Sequence, residues 1–238
     1  MDVVELLPRL HLLRFPVGQA YLWRDADELT LVDAGPPGSG RTIADTVRAL
    51  GHAPETVRRV VLTHFHEDHA GGAAEFAALS GAEVLAHAAD AAVLRRRVPA
   101  PPPVLEDWER PLHTAALRQL PQGDFARPPE ITEVADGDVL DFGDGARVIH
   151  VPGHTHGSIA LHLPRHRVLF TGDTIAASPV DGAVMPGVFN LDRTLVLTAL
   201  QRLAALDTDV ACFGHGDPVT QRASTVLREA ADKYRAPR

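Results

Sequence analysis

Apolar positions along the chain come in short runs, and most runs stop at a polar or glycine-bearing mark. Val3 to Phe15 and Ala20 to Arg24 read as strands. Asp25-Ala26-Asp27-Glu28 is a turn, and Leu29-Thr30-Leu31-Val32-Asp33 returns as the second arm of a hairpin. Ile43, Val47 and Leu50 fall on one face of a helix that Gly51 stops. Arg59-Val60-Val61-Leu62-Thr63 is almost unbroken apolar, the pattern of a strand covered on both faces. A helix from about Ala70 to Leu79 ends at Gly81, Glu83 to His87 is a short strand, and Ala88 to Arg97 returns to helix. This alternation predicts an α/β layered domain.

The rhythm breaks from Val98 to Glu130, which holds Pro99, Pro101, Pro102, Pro103, Pro111, Pro121, Pro128 and Pro129. One helix, near Leu112 to Leu120, fits there. The segment reads as a linker or as a lid over a site, and loop length favours the lid. Trp108, His113, Leu117 and Phe125 are its candidates for lining a substrate pocket, or for pinning the segment down. Beyond it, Asp138 to Phe142 and Ala146 to Val151 form a hairpin around Gly143-Asp144-Gly145. Ser158 to Leu163 and Arg167 to Thr171 form another. A glycine-rich loop leads to a helix marked by Leu195, Val196, Ala199, Leu200 and Leu203. Asp209 to Phe213 is the last strand, and a helix from about Ser224 to Tyr234 follows it.

The ends of the strands carry the chemistry. Five apolar runs close on Asp33-Ala34-Gly35, the cluster His64-Phe65-His66-Glu67-Asp68-His69, Gly153-His154, Gly172-Asp173 and Gly214-His215-Gly216. Loops that follow neighbouring strands at one sheet edge gather together, which is where open α/β sheets place ligands. His64 and His66 are alternate positions, so an extended segment projects both to one side. Asp68 and His69 follow where the chain turns into a helix. Imidazole and carboxylate together suit zinc, iron or manganese.

Composition narrows the partners. Net charge is -8, from 31 acidic and 23 basic residues among 238, and the only basic run is Arg95-Arg96-Arg97. A polyanion such as nucleic acid is therefore not the expected partner. Cys212 is the single cysteine, so no intrachain disulfide forms and a reducing, cytoplasmic setting is expected. Acids at Asp2 and Glu5, then Pro8, Arg9 and His11, leave neither a secretion signal nor a membrane span in the first stretch.

The motifs Leu31-Val32-Asp33-Ala34-Gly35, Thr63-His64-Phe65-His66-Glu67-Asp68-His69-Ala70-Gly71-Gly72, Pro152-Gly153-His154-Thr155, Phe170-Thr171-Gly172-Asp173-Thr174 and Gly214-His215-Gly216 resemble, in order, those of the metallo-β-lactamase fold superfamily of metallohydrolases. The resemblance implies one domain over residues 1 to 238, a four-layer αββα sandwich of two similar halves, with the Pro-rich lid or insertion at about 98 to 130. It implies two divalent metal ions, zinc first, with iron and manganese as alternatives. His64, His66 and His154 would bind one; Asp68, His69 and His215 the other; Asp173 would bridge them; Asp33 would orient a ligand. The implied function is hydrolysis of a small-molecule ester, lactone or thioester by a hydroxide held between metals about 3.5–4 Å apart. Asp68 is the catalytic side chain of that reading. His156, beside a ligand, reads as either a supporting residue or loop packing.

Within the superfamily, no signal peptide points to an exported β-lactamase. The short stretch after His215 weighs against a hydroxyacylglutathione hydrolase. The only tyrosines are Tyr21 and Tyr234, so the lactonase tyrosine after the bridging aspartate has no counterpart. A mononuclear iron persulfide dioxygenase and a non-catalytic metal-binding protein on the same scaffold remain as alternatives. Oligomeric state is not legible.

Overall fold

A computed structural model describes residues 1 to 120 and 124 to 235; Pro121, Gln122 and Gly123 of the Pro-rich segment lie outside the described residues, as do residues 236 to 238. The chain forms two compact units. The first comprises Met1–Ala100 and Pro111–Val134, and the second Pro101–Arg110 and Ala135–Arg238.

The first unit opens with four antiparallel strands: β1 (Asp2–Leu7), β2 (Leu10–Arg14), β3 (Gln19–Arg24) and β4 (Leu29–Val32). The run read from Val3 to Phe15 is thus a hairpin that folds back at Pro8-Arg9. Helix α1 (Ser39–Ala49) then crosses over to β5 (Val57–Val61), parallel to β4. Two short helices, α2 (Glu67–Ala70) and α3 (Ala73–Ser80), lead to β6 (Glu83–His87), and α4 (Ala88–Leu94) follows. Helix α5 (Glu109–Leu117) begins in the second unit and continues in the first, where β7 (Thr132–Val134) completes the sheet. Strand order is β1-β2-β3-β4-β5-β6-β7, antiparallel as far as β4 and parallel from β4 to β7. Ile43 and Val47 of α1, Phe76 of α3, Leu31 and Val60 of the strands and Leu62 just past β5 form one buried core, each apolar side chain contributing about 1.5–3 kcal/mol.

The second unit has its own sheet, in the order β14-β11-β10-β9-β8. Its strands are β8 (Val139–Leu140), β9 (Ala146–His150), β10 (Ile159–Leu163), β11 (Val168–Phe170) and β14 (Val210–Cys212). A separate small hairpin pairs β12 (Ile175–Ala177) with β13 (Val184–Pro186). Helices α6 (Arg193–Ala204) and α7 (Ala223–Lys233) set Leu200, Leu203 and Leu227 against Ile149, Leu169 and Phe213. β9, β11 and β14 run the same way, since each is separated from the next by an antiparallel step through β10 or by direct parallel pairing. The five strand ends that carry chemistry therefore divide two and three over two sheets rather than sharing one. Among the described residues, no helix is long and apolar enough to cross a membrane.

The Pro-rich segment is tied down at both ends. In the second unit, Val104 N–H donates to the Asn190 carbonyl at 2.9 Å. In the first, Phe125 and Ile131 are buried in the core. Trp108 and Leu117 are 48% and 47% exposed. Phe125 is thus a pin, whereas Trp108 and Leu117 are about half exposed.

Candidate metal centre

In the first unit, the parallel register pairs Val32 with Val61, so the residues after β4 and β5 emerge side by side. Asp33 N–H still donates to the Val61 carbonyl at 2.9 Å. Asp33 then takes a left-handed conformation (φ 60), which turns its carboxylate along the end of β5. There it accepts three hydrogen bonds: from Thr63 N–H (2.7 Å), from the Thr63 hydroxyl (2.8 Å) and from His69 Nδ1 (2.9 Å). The Thr63 oxygen has lone pairs left, and it accepts from His64 Nδ1 at 3.0 Å. One buried carboxylate thus fixes two imidazoles. Each carries its proton on Nδ1 and presents the Nε2 lone pair.

The neighbours of these two imidazoles close the turn. The ring centroids of His64 and His69 are 4.2 Å apart, and those of His64 and His66 are 4.8 Å apart. His69 Nε2 lies 3.5 Å from Asp68 Oδ2. The backbone between His64 and His66 is held by Asp90, whose buried carboxylate accepts from Phe65 N–H at 3.0 Å. The helix read from Ala70 to Leu79 is α3, which starts only at Ala73: Gly72 N–H leaves the helical ladder to donate to the Gly35 carbonyl at 3.2 Å, and the chains come so close that a Cβ on Gly72 would lie 2.3 Å from the Ala34 carbonyl oxygen. That close approach lets His69's carbonyl accept from Ala34 N–H at 2.7 Å, so the Asp33 loop and the ligand turn are one piece.

In the second unit, β9, β11 and β14 deliver His154, Asp173 and His215. Asp173 Oδ2 lies 3.6 Å from His154 Nε2 and 3.2 Å from His215 Nε2. His154 Nδ1 donates to Asn190 Oδ1 at 3.2 Å. The orientation of that amide follows from its other end, where Nδ2 donates to the Gly187 carbonyl at 2.7 Å. The loop carrying Asn190 is held in turn by Glu109, 2% exposed at the start of α5. Its carboxylate accepts from Phe189 N–H at 3.1 Å and Glu106 N–H at 2.9 Å. Asn190 and Glu109 escaped the sequence reading. Their partners stand 36 and 80 residues away, and neither belongs to a motif. Glu109→Ala is expected to cost about 1–3 kcal/mol in urea unfolding, because two backbone donors lose a buried acceptor. Glu109→Gln, which keeps one carbonyl oxygen, should lose less.

Each half fits a divalent ion by the chemistry of its donors. Two ligand atoms about 2.1 Å from one ion at tetrahedral angles are about 3.4 Å apart. The nitrogen–oxygen separations of 3.2, 3.5 and 3.6 Å cluster around that value. Three imidazoles have Nδ1 engaged by an oxygen acceptor, as ligating imidazoles generally do. Among the sequence-predicted ligands, His64, His66, Asp68 and His69 stand together in the first unit, and His154, Asp173 and His215 in the second. His156 is exposed, and its backbone carbonyl accepts from His150 Nε2 at 2.8 Å. Cys212 is fully buried, and burial pushes its thiol well up from the ordinary value, so it offers no thiolate.

Known proteins bear on this arrangement. A hydroxyacylglutathione hydrolase of Cereibacter sphaeroides is 31% identical over 200 residues, covering 82% of this chain and 61% of its own length. The acyl-coenzyme A thioesterase MBLAC2 of Gallus gallus is 32% identical over 212 residues, covering 79% of this chain and 68% of its own. The chain thus spans about three fifths of the hydroxyacylglutathione hydrolase it matches. Among solved structures, the metallo-β-lactamase SMB-1 with mercaptoacetic acid superposes with a TM-score of 0.72 at 21% identity, over 98% of this chain and 94% of that one. That likeness places the α/β fold among the metallo-β-lactamase folds. The sequence profile of the metallo-β-lactamase superfamily matches residues 13–215, a span that begins in β2 and closes on His215; the chain belongs to that superfamily.

Proposed function

We propose that the chain is a metal-dependent hydrolase of a small-molecule thioester, its two half-sites serving one centre of two divalent ions, with zinc as the first choice. The observation that carries this reading is the tethering of three imidazoles through Nδ1, which leaves Nε2 of each for a ligand bond. His64, His66 and His154 would hold one ion, Asp68, His69 and His215 the other, and Asp173 both. Such ions supply Lewis-acid polarisation of a carbonyl and an activated water at neutral pH. Asp68 is the side chain whose carboxylate would orient such a water and hold its proton. The thioester is favoured within esters and lactones because the two relatives named above, a hydroxyacylglutathione hydrolase and an acyl-coenzyme A thioesterase, both act on thioesters by name. Those names outweigh the earlier expectation drawn from the stretch after His215.

The test is metal content per chain in protein purified without added metal, followed by a panel of ester, lactone and thioester substrates. Two zincs and turnover of a thioester are expected. Asp68→Asn is expected to lower kcat by about 10²–10⁴-fold. A single iron with oxygen uptake on a persulfide would replace this reading by sulfur oxidation. Full metal loading with no turnover of any substrate would leave a binding protein.

A further inference from the structure

The basic run Arg95-Arg96-Arg97 closes α4 in a chain of net charge -8, and the proposed reaction leaves it unused. Together with Arg127 it borders a cavity of about 310 Å³ in the first unit, whose other walls are Leu94, Pro128 and Pro129. Among the described residues, no carboxylate lines it. Two of the four cations are already matched. Arg95 pairs with Glu133 and donates to the Ile131 carbonyl at 2.6 Å. Arg96 pairs with Asp124 and donates to the Phe125 carbonyl at 3.3 Å.

The other two cations are not matched. Among the described residues, neither Arg97 nor Arg127 has an ion-pair partner. The Arg127 guanidinium stacks on Phe125, with Cζ 3.1 Å from the ring centroid. Its Nε and Nη1 are buried and meet no acceptor. Burial works against its charge, Asp124 favours it and Arg96 opposes it. Stacking accounts for the ring face of this side chain. It does not account for buried donors beside a cavity ringed by like charge, since a buried N–H with no acceptor loses its water without return. Oxygens of an anionic guest would meet those donors. Planar guanidinium forks match phosphate oxygens, and two uncompensated cations balance a dianion better than a single carboxylate.

We propose that this cavity binds a phosphate or diphosphate group through Arg97 and Arg127. The phosphate comes either from the carrier end of a thioester, which rests on the hydrolase reading, or from a free ligand.

Isothermal titration of the full chain with inorganic phosphate tests the site, comparing Arg97→Glu with Arg41→Glu, an equal charge change at an exposed position of α1. Arg97→Glu is expected to weaken binding about tenfold or more, the loss of one charge-assisted contact, and Arg41→Glu to leave it within about twofold. Arg127→Met, which keeps bulk over Phe125, should weaken binding as well. No binding at millimolar phosphate, or equal weakening by Arg97→Glu and Arg41→Glu, overturns the proposal. The source is read from acetyl-coenzyme A against acetyl-pantetheine. A carrier phosphate makes Arg97→Glu lower kcat/KM for the first alone, and a free phosphate leaves both unchanged while phosphate affinity falls. Absence of any thioester turnover would sink the hydrolase reading, and the titration would still decide the site.

Discussion

Asp33→Asn is expected to destabilise the apo protein by about 3 kcal/mol or more and to weaken metal binding by about 10–100-fold, although Asp33 is no ligand. The substitution preserves shape and removes the charge. Asp33 is 2% exposed and accepts from three donors, one at Oδ1 and two at Oδ2. An asparagine has one carbonyl oxygen. With its NH2 at the Oδ1 position, it faces the Thr63 amide, and that buried N–H loses its acceptor. With the NH2 at the Oδ2 position, it faces the Thr63 hydroxyl and His69 Nδ1. The hydroxyl can turn and accept, but it then no longer takes its place between Asp33 and His64. His69 can accept only by moving its proton to Nε2, which removes the lone pair a metal needs. The first orientation keeps both imidazoles engaged but strands a buried N–H and removes the carboxylate charge behind them; the second gives up both imidazoles. Urea unfolding of metal-free protein and a zinc titration measure the two effects separately. Normal stability with normal affinity would show that His64 and His69 are aligned by something other than this carboxylate.

How far the site was legible in the sequence follows from the range of each interaction. The proposed ligands of the first unit are local: all four lie within the six residues from His64 to His69, so proximity in sequence marks them, although β5 ends at Val61 and His64 stands in a bend rather than in the extended segment that alternation assumes. β6 runs from Glu83 to His87, as its apolar run with flanking breaks predicts. Where long-range packing decides, local pattern fails. The helix expected from about Ala70 starts only at Ala73, because Gly72 N–H turns to the distant Gly35 carbonyl, a contact no helical periodicity encodes. The glycine-rich loop after Thr174 contains β12 and β13, three residues each, too short for alternation to register. β7 was hidden behind the prolines that precede it, since a three-residue parallel edge strand has little pattern of its own. The division of the chemistry between two sheets is topological, and the strands' apolar runs look alike in both. Asn190 and Glu109 were unreadable for the same reason: each matters through one distant partner.

Gly187→Ala is expected to unsettle the half-site of the second unit by a single methyl. Antiparallel pairing of β12 with β13 sets Ile175 opposite Pro186, which brings the next residue, Gly187, over the backbone before β12. Its N–H donates to the Thr174 carbonyl at 3.1 Å. A Cβ there would stand 1.7 Å from the Asp173 carbonyl oxygen, and backbone cannot swing aside as a side-chain end can. Relief requires the hairpin to lift from Asp173. The Gly187 carbonyl would move with it, and that oxygen holds the amide of Asn190 in the orientation that engages His154. One methyl group therefore loosens both the carboxylate and an imidazole of the same half-site. The expected loss is about 2–3 kcal/mol or more, about 4–12 °C in Tm at this chain length, together with reduced metal content. Gly182→Ala is the matched comparison. Gly182, unlike Gly187, has a left-handed backbone (φ +71); it lies at the tip of the same hairpin, and nothing stands within 4 Å of its added Cβ. Only backbone strain applies there, about 1 kcal/mol or 2–4 °C, with metal content unchanged. Thermal unfolding and metal analysis of the two variants, side by side, separate strain from close approach. Equal melting and equal metal in both would mean that the contact between Gly187 and Asp173 does not hold the half-site in place.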